Sequence, residues 1–203
     1  IFDHLSVSGG GDGLMDVNNG VHHITISNCI FANGTEAHRC YGKYLSMHHN
    51  FYYGNNRRQP KIVNVEGPYD WRNNILENWT GTGTNVEAGH QVNIINNYYG
   101  PNTANKAPGM EFHIEPTASA DVYIAGNRVP DGHPDINLLG DRETPNEEPP
   151  VTTYPADEDL PAIVKCEAGA KPRDSYDAAI AGACQSNQAP TVNAGTDKVI
   201  VSP

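Results

Sequence analysis

A short strand-like segment recurs along the chain, and each copy has an asparagine near its end. These asparagines are 22, 24, 23 and 30 residues apart; they are Asn28, Asn50, Asn74, Asn97 and Asn127. One short strand in each repeat of about 20 to 29 residues is typical of a solenoid, in which each repeat stacks on the last. The L-x-x-L-x-L skeleton of leucine-rich repeats is absent, and no stretch has a 3.6-residue period long enough to give each repeat a helix. The sequence therefore predicts an all-β chain folded as a parallel β-helix with coils of 22–24 residues.

The repeated asparagines have a structural explanation. Amides buried at the same corner of successive coils can hydrogen-bond to one another and to the turn backbone, and asparagine tolerates left-handed φ. We therefore expect Asn28, Asn50, Asn74 and Asn97 to be aligned at one turn of the section and to take no part in chemistry.

Length and charge limit the classes of protein to consider. At 203 residues with a formal charge of −11, one domain with a short appendage is expected, and the acidic balance argues against nucleic acid as a partner. The sequence has no run of 18 apolar residues, so no membrane span is predicted. It has no visible signal peptide and opens directly on a strand-like segment, which we interpret as a processed or partial chain.

Four cysteines form two local pairs in the sequence, Cys29 with Cys40 and Cys166 with Cys184. Four cysteines allow three pairings, and the sequence does not choose among them. The absence of C-x-x-C argues against a structural zinc site, whereas local disulfides are the expected use in a secreted chain.

A dense group of cations follows the second repeat. Arg57, Arg58 and Lys61 fall within five positions next to Pro60, in a chain that is otherwise acidic. Arginine and lysine are the side chains that bind carboxylates, although a solvated turn is the alternative for such a charge run. Because neighbours on an extended segment point to opposite faces, we expect only one of the two arginines to face a groove.

Two carboxylates, Asp12 and Asp16, are spaced four residues apart in GDGLMD. On a strand, residues i and i+4 share a face, and Ca²⁺ prefers several hard oxygen ligands. The alternative is that Asp12 is a turn residue after the glycines at 9–11.

Five short motifs occur in a characteristic order. They are FDH at 2–4, GDGLMDV at 11–17, ITISN at 24–28, HHN at 48–50 and RQP at 58–60. In this order they resemble the pectate lyases of polysaccharide lyase family one, and the resemblance covers roughly residues 1 to 180. It implies a right-handed parallel β-helix and a secreted lyase. Such a lyase cleaves pectate, or another uronate-containing acidic polysaccharide, by calcium-assisted β-elimination.

The resemblance also assigns roles to residues. Asp12 and Asp16 match two calcium carboxylates of the family, and a further family ligand falls upstream of Ile1. Arg58 matches the arginine that removes the C5 proton of the sugar. In that family, calcium and neighbouring cations neutralise the uronate carboxylate and make that proton more acidic, and the site would also have to favour neutral arginine.

The other family cations are displaced in this sequence. The position of the second family arginine is Val63, and Lys61 is the candidate to replace it. The family's substrate-binding lysine maps near Ala37, where the candidates to replace it are Arg39, His38 and Lys43. This displacement favours a second hypothesis, a catalytically impaired β-helix that binds carbohydrate or has a structural, self-assembling role.

The composition changes after about residue 140. Residues 1–140 are expected to form the coils, and residues 141–184 an acidic, proline-rich strap with a short helix, packed on the β-helix. Residues 185–203 contain a linker and a segment that resembles the truncated start of a PKD-like module. Other domains or chains that complete the β-helix are possible partners, beside the acidic polysaccharide.

Overall fold

The computed structural model of the protein describes residues 1–63, 67–87, 91–101, 121–131, 133–147, 150–182 and 184, together with the backbone of the strand at 112–115. The described chain is almost entirely β-structure up to residue 125, and two short helices follow in the last quarter.

Fifteen short strands occur in the described residues. In chain order they are β1 (Phe2–Asp3), β2 (Ser6–Ser8), β3 (His22–Ser27), β4 (Ile30–Ala32), β5 (Arg39–Cys40), β6 (Lys43–His48), β7 (Phe51–Tyr53), β8 (Lys61–Ile62), β9 (Tyr69–Arg72), β10 (Ile75–Glu77), β11 (Thr84–Glu87), β12 (Val92–Ile95), β13 (Tyr98–Tyr99), β14 (Phe112–Glu115) and β15 (Val122–Ala125). The helical elements are a 3-10 helix (Ile136–Leu139), α1 (Leu160–Glu167) and α2 (Ser175–Ala181).

The strands form three parallel sheets. Sheet I has the order β1-β3-β6-β9-β12-β15, sheet II has β2-β4-β7-β10-β13, and sheet III has β5-β8-β11-β14. The chain passes from sheet I to sheet II to sheet III and returns to sheet I one coil further on. This is a parallel β-helix, so the fold predicted from the repeat is confirmed.

The interior is filled by columns of side chains at matching register. In sheet I, Ile26, Met47, Trp71, Ile94 and Ile124 lie in successive strands. All five are buried. Each coil buries its inward-facing side chains against those of the neighbouring coils. Because these positions alone must be apolar, a hydrophobic content of 37% is sufficient for a continuous core.

An asparagine ladder joins the coils at the turn between sheets I and II. The side-chain oxygen of Asn74 accepts from both the backbone N–H and the side-chain amide of Asn50, each at 3.0 Å. Asn97 accepts in the same way from Asn74, at 3.0 and 3.1 Å, and Asn127 from Asn97, at 2.8 and 2.9 Å. The alignment of these asparagines is confirmed, and Asn137 of the 3-10 helix extends the ladder by one step.

The prediction for Asn28 is wrong by one residue. The backbone N–H of Cys29, not of Asn28, bonds to Asn50, so Cys29 occupies the ladder position in its coil. Asn28 instead belongs to the adjacent column, where the backbone is left-handed. This column also contains His49, Asn73 and Asn96, with φ of 49° to 56°. Asparagine is favoured in both columns, for different reasons. In the ladder column its side chain bonds to the turn backbone, and in the adjacent column it tolerates left-handed φ.

The C-terminal segment packs on sheet II. Leu160 and Val164 of α1 contact Ile30, Phe51 and Ile75. The extended part is held by two hydrogen bonds between Tyr154 and Asn73, at 2.7 and 2.8 Å. Helix α2, with Asp174 as its N-cap, lies in the segment for which the sequence predicts a short helix, whereas α1 was not predicted. Within the described residues, neither helix, nor any other, is both long and apolar enough to cross a membrane.

One of the two local cysteine pairs is bonded. Cys166 and Cys184 form a disulfide between α1 and the segment after α2. Cys29 and Cys40 are free, which contradicts the expectation of a second local disulfide. Cys40 lies on sheet III, whereas Cys29 lies at the turn between the other two sheets, with its thiol donating to the Ser27 carbonyl at 3.0 Å. Burial raises the pKa of both thiols, to about 11 and about 12, so they behave as apolar core groups.

Candidate functional site

The candidate site is built on the outer face of sheet III. Val17, Cys40, Ile62 and Val86 pair in register along this sheet and are all buried. Because side chains alternate across a strand, the residue before each of them faces outwards. These outward residues are Asp16, Arg39, Lys61 and Asn85. The fold therefore brings three of the predicted site residues into one column that crosses the coils.

The segment with the two aspartates is not the continuous strand predicted from its spacing. Gly13 and Val17 pair with the next coil through isolated bridges to Glu36 and Cys40, and the chain bends between them. The two bridges have the same offset, so the segment still runs in register with the next coil. Both Asp12 and Asp16 are exposed.

The Asp16 carboxylate is oriented by its surroundings. Its Oδ1 accepts a hydrogen bond from the backbone N–H of Arg39 at 2.7 Å. The carboxylate also lies over Gly13, where a Cβ would overlap it. Glycine at position 13 therefore makes room for this conformation of Asp16. This explains why a residue without a side chain stands between the two aspartates of D-G-L-M-D.

The donor groups of this segment are of the type that calcium prefers. Asp12 and Asp16 offer exposed carboxylate oxygens, the hard ligands that Ca²⁺ prefers, and the Gly13 cradle leaves Asp16 accessible. In the part of the chain that the structure describes, no group of three or more His, Cys, Asp or Glu side chains is placed to hold a metal. The remaining oxygens would have to come from the sugar carboxylate, from water or from residues outside this group.

Arg57 and Arg58 bind the same carboxylate, which corrects the expectation that they face opposite sides. Arg57 Nη2 lies 2.8 Å from Oε1 of Glu36, and Arg58 Nη1 contacts Oε2. The alternation fails because Arg58 has a left-handed backbone, with φ of 61°. Such a conformation in a non-glycine residue costs roughly 1–3 kcal/mol.

Sequence reasoning missed Glu36. Its side chain is only 8% exposed, and its position is bridged to Gly13 on one side and to Arg57 on the other. It therefore lies between the aspartate segment and the arginines. The signal was available in the repeat, since Glu36 precedes the two arginines by 21 and 22 residues, which is one coil.

The remaining predicted cations are divided between two sheets. Lys61 pairs with Glu87 at 3.1 Å, and Arg39, its neighbour in the register, stacks on the ring of Tyr41 at 4.8 Å. Lys43 lies on sheet I, paired in register with His22, and is not part of the column on sheet III. Val63, at the position of the second family arginine, is 5% exposed.

The charges on this face balance. Asp12, Asp16, Glu36 and Glu87 give four negative charges, and Arg39, Arg57, Arg58 and Lys61 give four positive charges. The described side chains of this face therefore carry no net positive charge towards an anionic polymer. A divalent cation would supply one.

His38 holds the aspartate segment to the core. Its Nδ1 lies 2.6 Å from the carbonyl oxygen of Met15, and its Nε2 lies 2.9 Å from the Tyr52 hydroxyl. A carbonyl oxygen can only accept, so Nδ1 must bear the proton and the tyrosine must donate to Nε2. Complete burial lowers the pKa of His38 to about 4. The imidazole is therefore neutral at neutral pH.

We expect this histidine to make the protein less stable in acid. Its pKa is lower in the folded state than in the unfolded state, where it is about 6.5, so the unfolded chain binds more protons between pH 6.5 and pH 4. The unfolding free energy should fall by up to roughly 3 kcal/mol across that window because of this one group. Urea unfolding at pH 7 and pH 4.5 measures the fall.

The His38→Gln variant is the control for this prediction. Glutamine keeps a donor for the Met15 carbonyl but does not titrate, so the pH dependence should become shallower. It should not vanish, because burial also lowers the pKa of His49 to about 4. An unchanged slope in the variant would contradict the assignment.

The chain is similar in sequence and in fold to pectate lyases. No protein-family model matches it. A probable pectate lyase C from Aspergillus flavus is 39% identical over 115 residues, which are 51% of this chain and 27% of that protein. A probable pectate lyase C from Emericella nidulans is 34% identical over 111 residues, which are 51% of this chain and 26% of that protein. The chain spans about a quarter of the length of these curated relatives.

Solved structures of pectate lyases share the fold. One from Bacillus sp. N165, determined in complex with trigalacturonate, superposes with a TM-score of 0.65 at 20% identity and covers 83% of this chain and 58% of its own. One from Acidovorax avenae subsp. citrulli has a TM-score of 0.62 at 19% identity and covers 83% of this chain and 50% of its own. The chain therefore has the parallel β-helix fold of the solved pectate lyases and is similar in sequence to proteins of that name.

Proposed function

We propose that this chain is part of a secreted polysaccharide lyase of the pectate lyase superfamily. Its substrate would be pectate or a related uronate polymer, cleaved by calcium-assisted β-elimination. The observation that supports this most directly is the column of acidic and basic side chains on sheet III, in a fold shared with pectate lyases and a sequence similar to theirs. Assignment to polysaccharide lyase family one and the PKD-like segment are parts of the same proposal. The residues of that segment, 185–203, lie outside the described part of the chain.

The residues have separate roles in this proposal. Asp12 and Asp16 would hold calcium, which when bound would neutralise the uronate carboxylate. Arg58, in its neutral form, removes the proton from C5, and the electron pair forms the C4–C5 double bond as the C4–O bond to the leaving sugar breaks. Lys61 and Arg39 lie further along the column, where they bind carboxylates of neighbouring sugars, and Lys43 is a more distant candidate on sheet I.

The test is the appearance of an unsaturated product. Polygalacturonate and trigalacturonate are incubated with the protein that contains this chain, with calcium or with a chelator, and the C4–C5 double bond is followed by ultraviolet absorbance. We expect product only with calcium. A protein that neither cleaves nor binds any uronate would overturn the proposal.

Asp16→Ala should weaken calcium binding most clearly. Asp16 is exposed yet oriented by the Arg39 backbone, so its removal takes away a prearranged ligand while the core is unchanged. Loss of a metal-coordinating carboxylate is expected to lower affinity by roughly 10-fold or more, by comparison with the 10- to 100-fold cost of losing a supporting group. Calorimetric titration with calcium measures the effect.

The matched control for this prediction is Asp141→Ala. Asp141 is a carboxylate on the strap that accepts a hydrogen bond at 2.7 Å from the backbone N–H of Val122, in β15 of sheet I. The Asp141→Ala substitution changes the net charge by the same amount as Asp16→Ala and should leave the calcium affinity unchanged. Equal calcium affinity in wild type and Asp16→Ala would remove Asp16 from the site.

A second function is favoured by two observations. Arg58 is already bound to Glu36, and the position of the second family arginine is a buried valine. A β-helix with these features would bind an acidic polysaccharide without turning it over. Binding of trigalacturonate with no unsaturated product at any calcium concentration would select this alternative.

A further inference from the structure

Glu36 already occupies the place of a ligand carboxylate. Its two oxygens contact the guanidinium groups of Arg57 and Arg58, one oxygen for each arginine. This is the way in which an arginine pair binds the carboxylate of an acidic ligand. Arg57 and Arg58 therefore form an anion-binding site, and in this structure the Glu36 carboxylate is bound in it.

The arginines remain accessible while Glu36 does not. The Glu36 side chain is 8% exposed, whereas those of Arg57 and Arg58 are 52% and 23% exposed. Each guanidinium has five N–H donors, so each can turn some of them towards solvent while one contacts Glu36. A sugar carboxylate arriving from solvent would reach the arginines on their exposed side and meet the negative charge of Glu36 behind them.

We propose that Glu36 competes with the uronate carboxylate for Arg57 and Arg58 and so limits how tightly this site binds the free acid. This inference rests on the proposed function and names a residue that regulates the affinity of the same site. A charged uronate offers the arginines an equivalent partner and can displace Glu36. A methyl-esterified uronate has no charge to exchange and cannot displace it, so the competition acts on the free acid.

Glu36→Gln is the decisive variant. Glutamine has nearly the same shape, and it removes the competing charge without creating a cavity. We expect trigalacturonate to bind roughly 10-fold more tightly to Glu36→Gln than to wild type, since the two charge-assisted contacts of Glu36 no longer have to be broken. The gain should be absent or much smaller for the methyl ester of the same oligosaccharide. Calorimetry in the presence of calcium gives both affinities.

Two further variants separate this effect from charge and from misfolding. Glu158→Gln makes the same change in net charge on the strap, where the side chain is 86% exposed, and should not alter binding. Glu36→Asp keeps the charge on a shorter side chain and should not give the gain. Thermal unfolding of each variant shows that it is folded, and tighter binding is a result that structural damage would not produce.

The outcomes distinguish this inference from the lyase proposal. Tighter binding of the free acid by Glu36→Gln alone supports competition by Glu36. Uronate binding that is equal or weaker in Glu36→Gln overturns the inference and leaves the lyase proposal standing. Absence of uronate binding by wild type and all variants overturns both.

Discussion

Replacing Arg58 by lysine is expected to reduce the rate of uronate cleavage by roughly 10²- to 10⁴-fold, the usual contribution of a general base. Lysine keeps the positive charge but loses the planar fork that contacts two oxygens at once. It would adopt the same left-handed backbone at φ of 61° with a strain similar to that of arginine, so the backbone does not confound the comparison. Initial rates with saturating calcium and polygalacturonate measure the loss.

Arg57→Lys is the matched control. Arg57 contacts the same carboxylate as Arg58 but is 52% exposed, against 23% for Arg58. It should contribute mainly to substrate binding, so Arg57→Lys is expected to raise KM and to change kcat much less. A loss of kcat in Arg57→Lys equal to that in Arg58→Lys would show that the pair acts as one anion site and that neither arginine alone is the base.

The combination of Arg58→Lys with Glu36→Gln adds a second comparison. An Arg58 side chain bound to Glu36 is not available to the C5 proton, so turnover requires Glu36 to release it. Glu36→Gln alone should therefore keep or raise the rate, and it should not rescue Arg58→Lys. Rescue would assign the proton transfer to another residue.

The β-helix was predictable because it repeats. Few folds are compatible with repeats of about 20 to 30 residues that each contain one short strand. The ladder asparagines at 50, 74, 97 and 127 lie where this spacing predicts them. The one-residue error at Asn28 has a physical cause. Two adjacent columns of the same turn both favour asparagine, one for its amide bonds and one for left-handed φ, and spacing alone does not separate them.

The site was less predictable because it depends on contacts between coils. The rule of alternating faces placed Arg57 and Arg58 on opposite sides, and a single left-handed residue cancels that rule. Glu36 was missed because it is distant from the arginines in sequence, although it is one coil away in space. The sequence offers His38 as a candidate substrate cation, but in the fold this histidine is buried, neutral and bonded to Met15. Aligning the sequence coil by coil, rather than motif by motif, would have indicated Glu36.

The asparagine ladder should account for a large share of the stability, and Asn74→Ala is its sharpest test. Asn74 accepts two bonds from Asn50 and donates to the carbonyl of Met47 at 2.9 Å, and it is completely buried. Without this side chain the buried N–H of Asn50 and the carbonyl of Met47 lose their partners. Each orphaned buried group costs roughly 1–3 kcal/mol, so we expect the unfolding free energy to fall by roughly 3–5 kcal/mol.

Two controls assign that loss to hydrogen bonding. Asn74→Leu restores side-chain volume without restoring any amide bond, so it should be as destabilising as Asn74→Ala if the bonds matter and milder if the loss is due to a cavity. Asn18→Ala replaces an exposed asparagine outside the ladder and should change the unfolding free energy by less than about 0.5 kcal/mol. Urea unfolding followed by circular dichroism provides the measurement. A loss below about 1 kcal/mol in Asn74→Ala would mean that water or neighbouring groups satisfy the turn, and that the ladder marks the register of the coils without holding them together.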